Sequence, residues 1–200
     1  MLRASPRNRC AAHIPLKTYA SLLAPRHLAS EAFYFAVNFE TFYKKMILLT
    51  GATGFVGGNL LKEMLKQGLQ VRCLVRNPSR AEEAIKQPGV ELVQGDVTDK
   101  DSIVKALADG KIDTSVHLVG ILTETRKASF KTIHTEGTRN MVETCKQKNV
   151  KRFIHNKCPF GTRANARSEY HKTKWEAEEI IRSSGLDYTI FRPSVLFGKE

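Results

Sequence analysis

Two groups of residues in this 200-residue chain have the types and spacing to do chemistry. Tyr170 and Lys174 lie four positions apart, which on a helix puts a phenol and an ammonium on one face. A phenol ionises near pH 10, and lowering that by three units takes about 4 kcal/mol of preferential stabilisation of the phenolate, which a neighbouring cation can supply. Such a pair moves a proton to or from a bound oxygen. The spacing alone fits an exposed tyrosine beside a solvated lysine equally well.

The second group is Gly51-Ala52-Thr53-Gly54-Phe55-Val56-Gly57, between an apolar run of strand length and an amphipathic stretch of helix length. Glycines there permit a tight turn and close backbone approach, and the helix start offers unpaired N–H groups and the positive end of its dipole. The loop residues Gly51, Thr53, Gly54, Phe55, Val56 and Gly57 are therefore a candidate pyrophosphate cradle, although a glycine-rich turn also arises for steric reasons. Arg76 follows the next apolar run, Val71 to Val75, which ends without an acid. A carboxylate there would bond the ribose 2′-hydroxyl of NAD, whereas a guanidinium suits the extra 2′-phosphate of NADP. The expectation is NADP, with NAD as the alternative and a solvated loop arginine as the neutral reading. Arg80 is a weaker candidate for the same phosphate.

The elements that must position these groups read as repeated βα units. Strands are expected at Met46–Thr50, Val71–Val75, Val90–Val93, Thr114–Val119, Arg152–His155 and Leu186–Phe191. Helices are expected at Phe55–Gln67, at Ser79–Lys86, after a cap at Asp99, at Phe130–Lys148 and at Glu169–Arg182. Gly68 should close the first helix. The fold class is α/β, a doubly wound parallel sheet.

Thr50-Gly51-Ala52-Thr53-Gly54-Phe55-Val56-Gly57, Gly95-Asp96-Val97, His134-Thr135-Glu136-Gly137-Thr138-Arg139-Asn140 and Arg192-Pro193-Ser194 together resemble the extended and atypical short-chain dehydrogenase/reductases (SDRs). The resemblance runs from Met46 to Glu200. It is strongest to NmrA-like proteins and to the Rossmann-type accessory subunit of respiratory complex I and its bacterial relatives. It implies an NAD(P)-binding Rossmann domain in which Asp96 and Val97 lie by the adenine and Val119 and Gly120 hold the cofactor further along. Asp96 without it would be an Asx turn, and Val119-Gly120 a strand end. It also implies that Tyr170 passes a proton as hydride moves at the nicotinamide, and that Lys174 bonds the nicotinamide ribose. The activities that follow are oxidoreduction or epimerisation of a small alcohol or carbonyl compound, nucleotide-sugar-like substrates included. The alternative is a dinucleotide-binding module without turnover, acting in complex I-type assembly or redox sensing.

Two departures qualify that inference. His155-Asn156-Lys157-Cys158-Pro159-Phe160-Gly161 stands where relatives read His-Met-Ser-Ala-Leu-Gly, and is one residue longer. The serine that would polarise a substrate carbonyl is missing, and such a donor is worth about 2.7–4 kcal/mol in the transition state. Three accounts fit the stretch: Cys158 or Thr162 partly replaces the hydroxyl, the protein binds cofactor without efficient turnover, or the reading frame shifts locally. The chain also stops two residues after Gly198, so a C-terminal substrate-binding region is expected to be missing, as in a fragment of a protein of about 300 residues.

Residues 1–45 lack this periodicity and are expected to be a separate extension, with residues 46–200 forming the nucleotide-binding domain. The extension is rich in Arg, Ser and Ala and has no acid before Glu31, which suits either upstream leader sequence or an organellar transit peptide. The first reading implies a cytoplasmic protein, the second a mitochondrial or plastid one. Seven basic and two acidic residues precede Met46, so +7 of the +12 net charge belongs to the remainder. That charge favours an anionic ligand but is spread along helices with no aromatic-interleaved basic motif, which argues against nucleic acid as a partner. No apolar run approaches the ~18 residues of a membrane span. Neither the four cysteines nor the six histidines have metal-ligand spacing, so no metal is expected, and most of the histidines should sit at the surface or half-buried.

Overall fold

The computed structural model describes residues 46–81, 85–157 and 164–193. Six parallel strands, β1 (Met46–Thr50), β2 (Val71–Val75), β3 (Val90–Gln94), β4 (Ile112–His117), β5 (Arg152–Asn156) and β6 (Asp187–Phe191), form one sheet in the order β3-β2-β1-β4-β5-β6. β1 pairs on one side with β2 (Ile47 opposite Val71) and on the other with β4 (Ile47 opposite Thr114). The chain therefore reverses its direction of travel across the sheet between β1 and β4. In a doubly wound sheet that reversal opens a crevice beyond the carboxyl ends of the two strands, where ligands bind.

Alternation along β1 builds both layers. Ile47 and Leu49 pack with Leu60, Leu61 and Met64 of α1 (Phe55–Lys66). Leu48 faces the other way, into a cluster with Ile103 of α2 (Lys100–Ala106), Met141 and Cys145 of α3 (Gly137–Gln147), and Ile181 of α4 (Glu169–Arg182). Strands covered on both faces favour apolar residues at every position, which is why β1 reads as a nearly continuous apolar run and β2 departs from one only at Arg72. The end of α1 is set as expected: Gly68 takes φ +73°, and the Gly68 and Leu69 amides donate to the carbonyls of Leu65 and Met64. Asp99 caps α2 by accepting from the amides of Asp101 and Ser102.

Of the helix expected over Ser79–Lys86, Ser79 and Arg80 belong to a 3₁₀ turn, and residues 82–84 lie outside the described residues. Asn77 caps a 3₁₀ turn at Pro78–Arg80, and Ala81 then swings to ψ 133°, which ends helical progression at once. The expected helix at Phe130–Lys148 is present but opens as a π-helical turn, Lys131–Glu136, before α3.

At the amino ends of the strands, Arg72 of β2 is almost fully buried. It donates to the Ala106 carbonyl at 2.6 Å, to both carboxylate oxygens of Asp109 at 3.0 and 2.6 Å, and to Glu91 of β3 at 2.9 Å. This guanidinium holds the Asp109 carboxyl well below the usual carboxylate range. One side chain thus ties β2, β3 and the end of α2. Arg72→Met should cost about 2–3 kcal/mol, since it strands a helix-end carbonyl and two part-exposed carboxylates that water only partly satisfies. Removing the exposed Lys100–Glu143 pair should cost well under about 1 kcal/mol. Urea midpoints of the two variants check this ranking.

Candidate functional site

The glycine loop sits at the reversal point. Gly51 has φ +81°, and a Cβ built there would lie 3.1 Å from the Leu118 carbonyl carbon and 3.2 Å from the Val119 nitrogen. The loops after β1 and β4 are therefore pressed together. Gly57 is tighter still, its Cβ position lying 2.0 Å from the Gly51 oxygen. These glycines let α1 begin directly against the turn. Gly54 is the N-cap of α1, with no side-chain cap, and the first turn contains no acid. Thr53 and Gly54 are exposed, while Phe55 and Val56 are half-buried. The start of α1 therefore presents uncapped amides and its dipole to the crevice, which fits a doubly charged pyrophosphate.

Toward β2 and β3, Arg76 is exposed beyond the end of β2, and no carboxylate among the described residues pairs with it or with Arg80. Asp96 forms an Asx turn, accepting from the amide and hydroxyl of Thr98 at 2.9 Å each. The Val97 side chain is in the core against Gly137, and its carbonyl accepts from Asn140 at 3.0 Å. Only its backbone is left to meet a ligand.

At the opposite end, α4 brings Tyr170 and Lys174 to the loop after β4. Lys174 is buried, and its Nζ would lie 2.8 Å from a Cβ at Gly120. A glycine there is what lets the ammonium reach the backbone of this loop. Tyr170 is half-buried and edge-on to the rings of Phe130 and His134, with centroids 5.5 and 5.3 Å away. The expected sites thus divide spatially: the glycine loop and Val119-Gly120 meet at the centre, Arg76 and Asp96 lie on one side, Tyr170 and Lys174 on the other.

Three histidines behave otherwise than expected. His117, His134 and His155 are all buried, while His171 is half-buried and His13 and His27 lie outside the described residues. The His117 ring stacks on His155 at 5.2 Å and hydrogen-bonds the hydroxyls of Thr50 at 2.8 Å and Thr138 at 3.3 Å. Burial, then the nearby Lys174 and His134, push it down to about 3. His155 donates from Nδ1 to the His117 carbonyl at 3.1 Å. The available signal was that His117 and His155 lie within expected strands, beside Val116 and Ile154, where a covered sheet leaves no room for water.

The residue after β5 is also committed elsewhere. Cys158 and Thr162 lie outside the described residues, but Lys157 is placed, with its amide donating to the Phe191 carbonyl at 2.9 Å. Its buried ammonium bonds Glu178, one turn along α4 from Lys174, and lies 5.4 Å from the centre of the Trp175 ring. Glu178 also accepts from Arg182 and Arg192. Burial, then Arg192 and Arg182, bring the Lys157 ammonium down to about 8, against the pull of Glu179. Two residues after His155, where the resemblance implies a serine, stands Lys157, a cation turned into the protein's own core.

Among the described residues no cluster could hold a metal ion, and no helix is long and apolar enough to cross a membrane. Comparison with known proteins agrees with the geometry. A family model described as NAD(P)H-binding matches residues 51–200. The chain is 31% identical over 148 residues to the photosystem II assembly factor Ycf39 of Cyanophora paradoxa, covering 73% of this chain and 44% of that protein. It is 30% identical over 183 residues to a 3-beta-hydroxysteroid dehydrogenase of Mycolicibacterium neoaurum, covering 76% and 48%. It is 30% identical over 157 residues to the mitochondrial NADH-ubiquinone oxidoreductase 40 kDa subunit of Neurospora crassa, covering 75% and 40%. The chain thus spans less than half the length of these relatives. Among solved structures, the Bordetella bronchiseptica enzyme WbmH in complex with NAD+ superposes with a TM-score of 0.66 at 23% identity, over 75% of this chain and 56% of that one. With its glycine turn after β1, its strand order and a matching family model over three quarters of its length, the chain belongs to the NAD(P)H-binding family of Rossmann domains.

Proposed function

We propose that this domain binds NADP(H) in preference to NAD(H) and that Tyr170 exchanges a proton with the oxygen of a small alcohol or carbonyl substrate. The observation that carries the reading is the placement of Lys174 against Gly120, one helical turn from Tyr170 and directly beyond the glycine cradle. The ammonium there lowers the cost of a phenolate on Tyr170 and lies within reach of a ribose hydroxyl. Gly51, Gly54 and Gly57 take the pyrophosphate, Asp96 and the Val97 backbone flank the adenine, and Arg76 meets the 2′-phosphate. Bound NADPH would supply the hydride to a carbonyl substrate, and bound NADP+ would take it from an alcohol.

Arg76→Ala should weaken NADPH binding about 10–100-fold while leaving NADH unchanged, the worth of one charge-assisted pair. Titration followed by Trp175 or cofactor fluorescence checks it, and equal wild-type affinity for both cofactors would remove Arg76 from this role.

The position of Lys157 favours a second reading, a dinucleotide-binding module without turnover that serves a larger assembly, as the relationship to a complex I subunit suggests. Tyr170→Phe separates the two. An enzyme loses about a hundredfold or more in turnover with little change in cofactor affinity, whereas a module has no turnover to lose. Residues 1–45 are proposed as a segment outside the nucleotide-binding domain. N-terminal sequencing of the mature protein distinguishes a cleaved organellar address from upstream leader sequence in a cytoplasmic protein.

A further inference from the structure

The π-helical turn Lys131–Glu136 carries one side chain that touches every element at the Tyr170 end of the crevice. His134 is buried, with Nε2 3.1 Å from both the amide nitrogen and the carbonyl oxygen of Ile121, in the loop after β4. Its Nδ1 is 3.1 Å from the Thr173 hydroxyl of α4, next in sequence to Lys174. One face of the ring stacks on Phe130, with centroids 5.5 Å apart, and Tyr170 meets it edge-on. Nε2 also lies 3.7 Å from a Cβ position at Gly120.

Counting donors selects the tautomer. With the proton on Nδ1, the ring donates to the Thr173 hydroxyl, the Ile121 amide donates to Nε2, and the Thr173 hydroxyl donates to the Glu169 carbonyl at 2.8 Å. Every donor is then paired. With the proton on Nε2, the ring donates to the Ile121 carbonyl and the Ile121 amide loses its ring acceptor, a costly arrangement in a buried site. We propose that His134, held as the Nδ1–H tautomer, is the positioning residue that fixes the Gly120–Ile121 loop to α4 and so sets Lys174 and Tyr170 against the bound dinucleotide. Burial, followed by the charge of Lys174, keeps the ring neutral, with its ionisation down to about 3, so the arrangement persists across the physiological range.

This inference rests on the dinucleotide-binding reading, and the test separates the two. In the full chain, His134→Phe keeps the ring contacts with Phe130 and Tyr170 but removes both hydrogen bonds. NADPH affinity should fall about tenfold. His134→Gln, whose amide can accept from Ile121 and donate to Thr173, should restore affinity to within about threefold. Nitrogen-15 spectra of the wild type should show His134 Nε2 unprotonated at neutral pH. Unchanged affinity in His134→Phe, failure of the glutamine to restore a lost affinity, or a protonated Nε2 would each overturn the proposal. Should His134→Phe not fold, Thr173→Val takes its place, with affinity expected to fall about threefold or more and an unchanged value counting against the proposal. A wild-type chain that takes up no NADPH or NADH overturns the functional reading itself, whereas normal wild-type uptake with indifferent variants overturns this inference alone.

Discussion

Gly57→Ala is expected to reduce dinucleotide affinity by about a hundredfold or more and to destabilise the fold by about 3 kcal/mol, the upper part of the range for overpacking. The added methyl would sit 2.0 Å from the Gly51 oxygen, 2.7 Å from the Gly51 carbonyl carbon and 2.9 Å from the Ala52 Cα. All three are backbone atoms, so no side chain can turn aside. Either α1 lifts from the loop or the loop moves, and Gly51 is itself confined by Leu118 and Val119. Both movements carry the α1 amides away from the position a pyrophosphate needs. Gly58→Ala supplies the internal control, because its Cβ would meet only the Ala52 oxygen, at 3.5 Å, an ordinary contact. Inside a helix that change should be neutral or stabilising by about 0.5–1 kcal/mol. Two adjacent glycine-to-alanine changes should therefore differ in sign, read by urea denaturation and NADPH titration. Similar behaviour of the two variants would mean that close helix-to-turn packing is not what Gly57 provides.

The glycine turn between β1 and α1 was legible in the residues because its signal is local: glycines between an apolar run and an amphipathic stretch define a strand, a turn and a helix within a short span. The same holds for the Asp99 cap, the glycine at Gly68 and the bounds of α4, each set by side chains within a turn of the boundary. The helix start expected at Ser79 shows the limit. Asn77 and Pro78 are sound initiation signals, but initiation does not enforce propagation, and the backbone is already extended at Ala81. What no local pattern conveys is pairing across the sheet. His117 meets Thr50 from 67 positions away, His134 meets Thr173 from 39, and Lys157 finds Glu178 only because α4 packs beside the end of β5. Histidine and lysine are ordinarily surface residues, so their burial became visible only once the strand order was known.

Those buried imidazoles make the protein acid-sensitive, with a loss of stability of at least about 4 kcal/mol expected between pH 7 and pH 5. Each ring is neutral in the fold. His117 and His134 are held down to about 3, the first by burial, Lys174 and His134, the second by burial and Lys174 against the Ile121 hydrogen bond. His155 lies well below its ordinary range through burial, His117 and Lys174, against its bond to the His117 carbonyl. In the unfolded chain the same rings ionise near 6.5, so between that pH and about 3 the unfolded state binds more protons. Their contribution is therefore intact above about pH 6.5 and is lost as the pH falls. By pH 5 His117 and His134 each cost about 2 kcal/mol and His155 adds in the same direction, a loss comparable with the lower end of a small domain's stability, about 5–15 kcal/mol. The Arg72–Asp109 pair does not compete in this window, because a depressed carboxyl gives up its contribution only below about pH 4. Urea titrations at pH 7, 6 and 5 should show a slope steepening to at least about 2.7 kcal/mol per pH unit, the uptake of two protons by His117 and His134 on unfolding, with His155 adding to it. His155→Gln retains an N–H for the His117 carbonyl but cannot titrate, and should make that slope shallower. A flat profile in the wild type, or an unchanged slope in the variant, would mean that these rings are not neutral and buried in the folded chain.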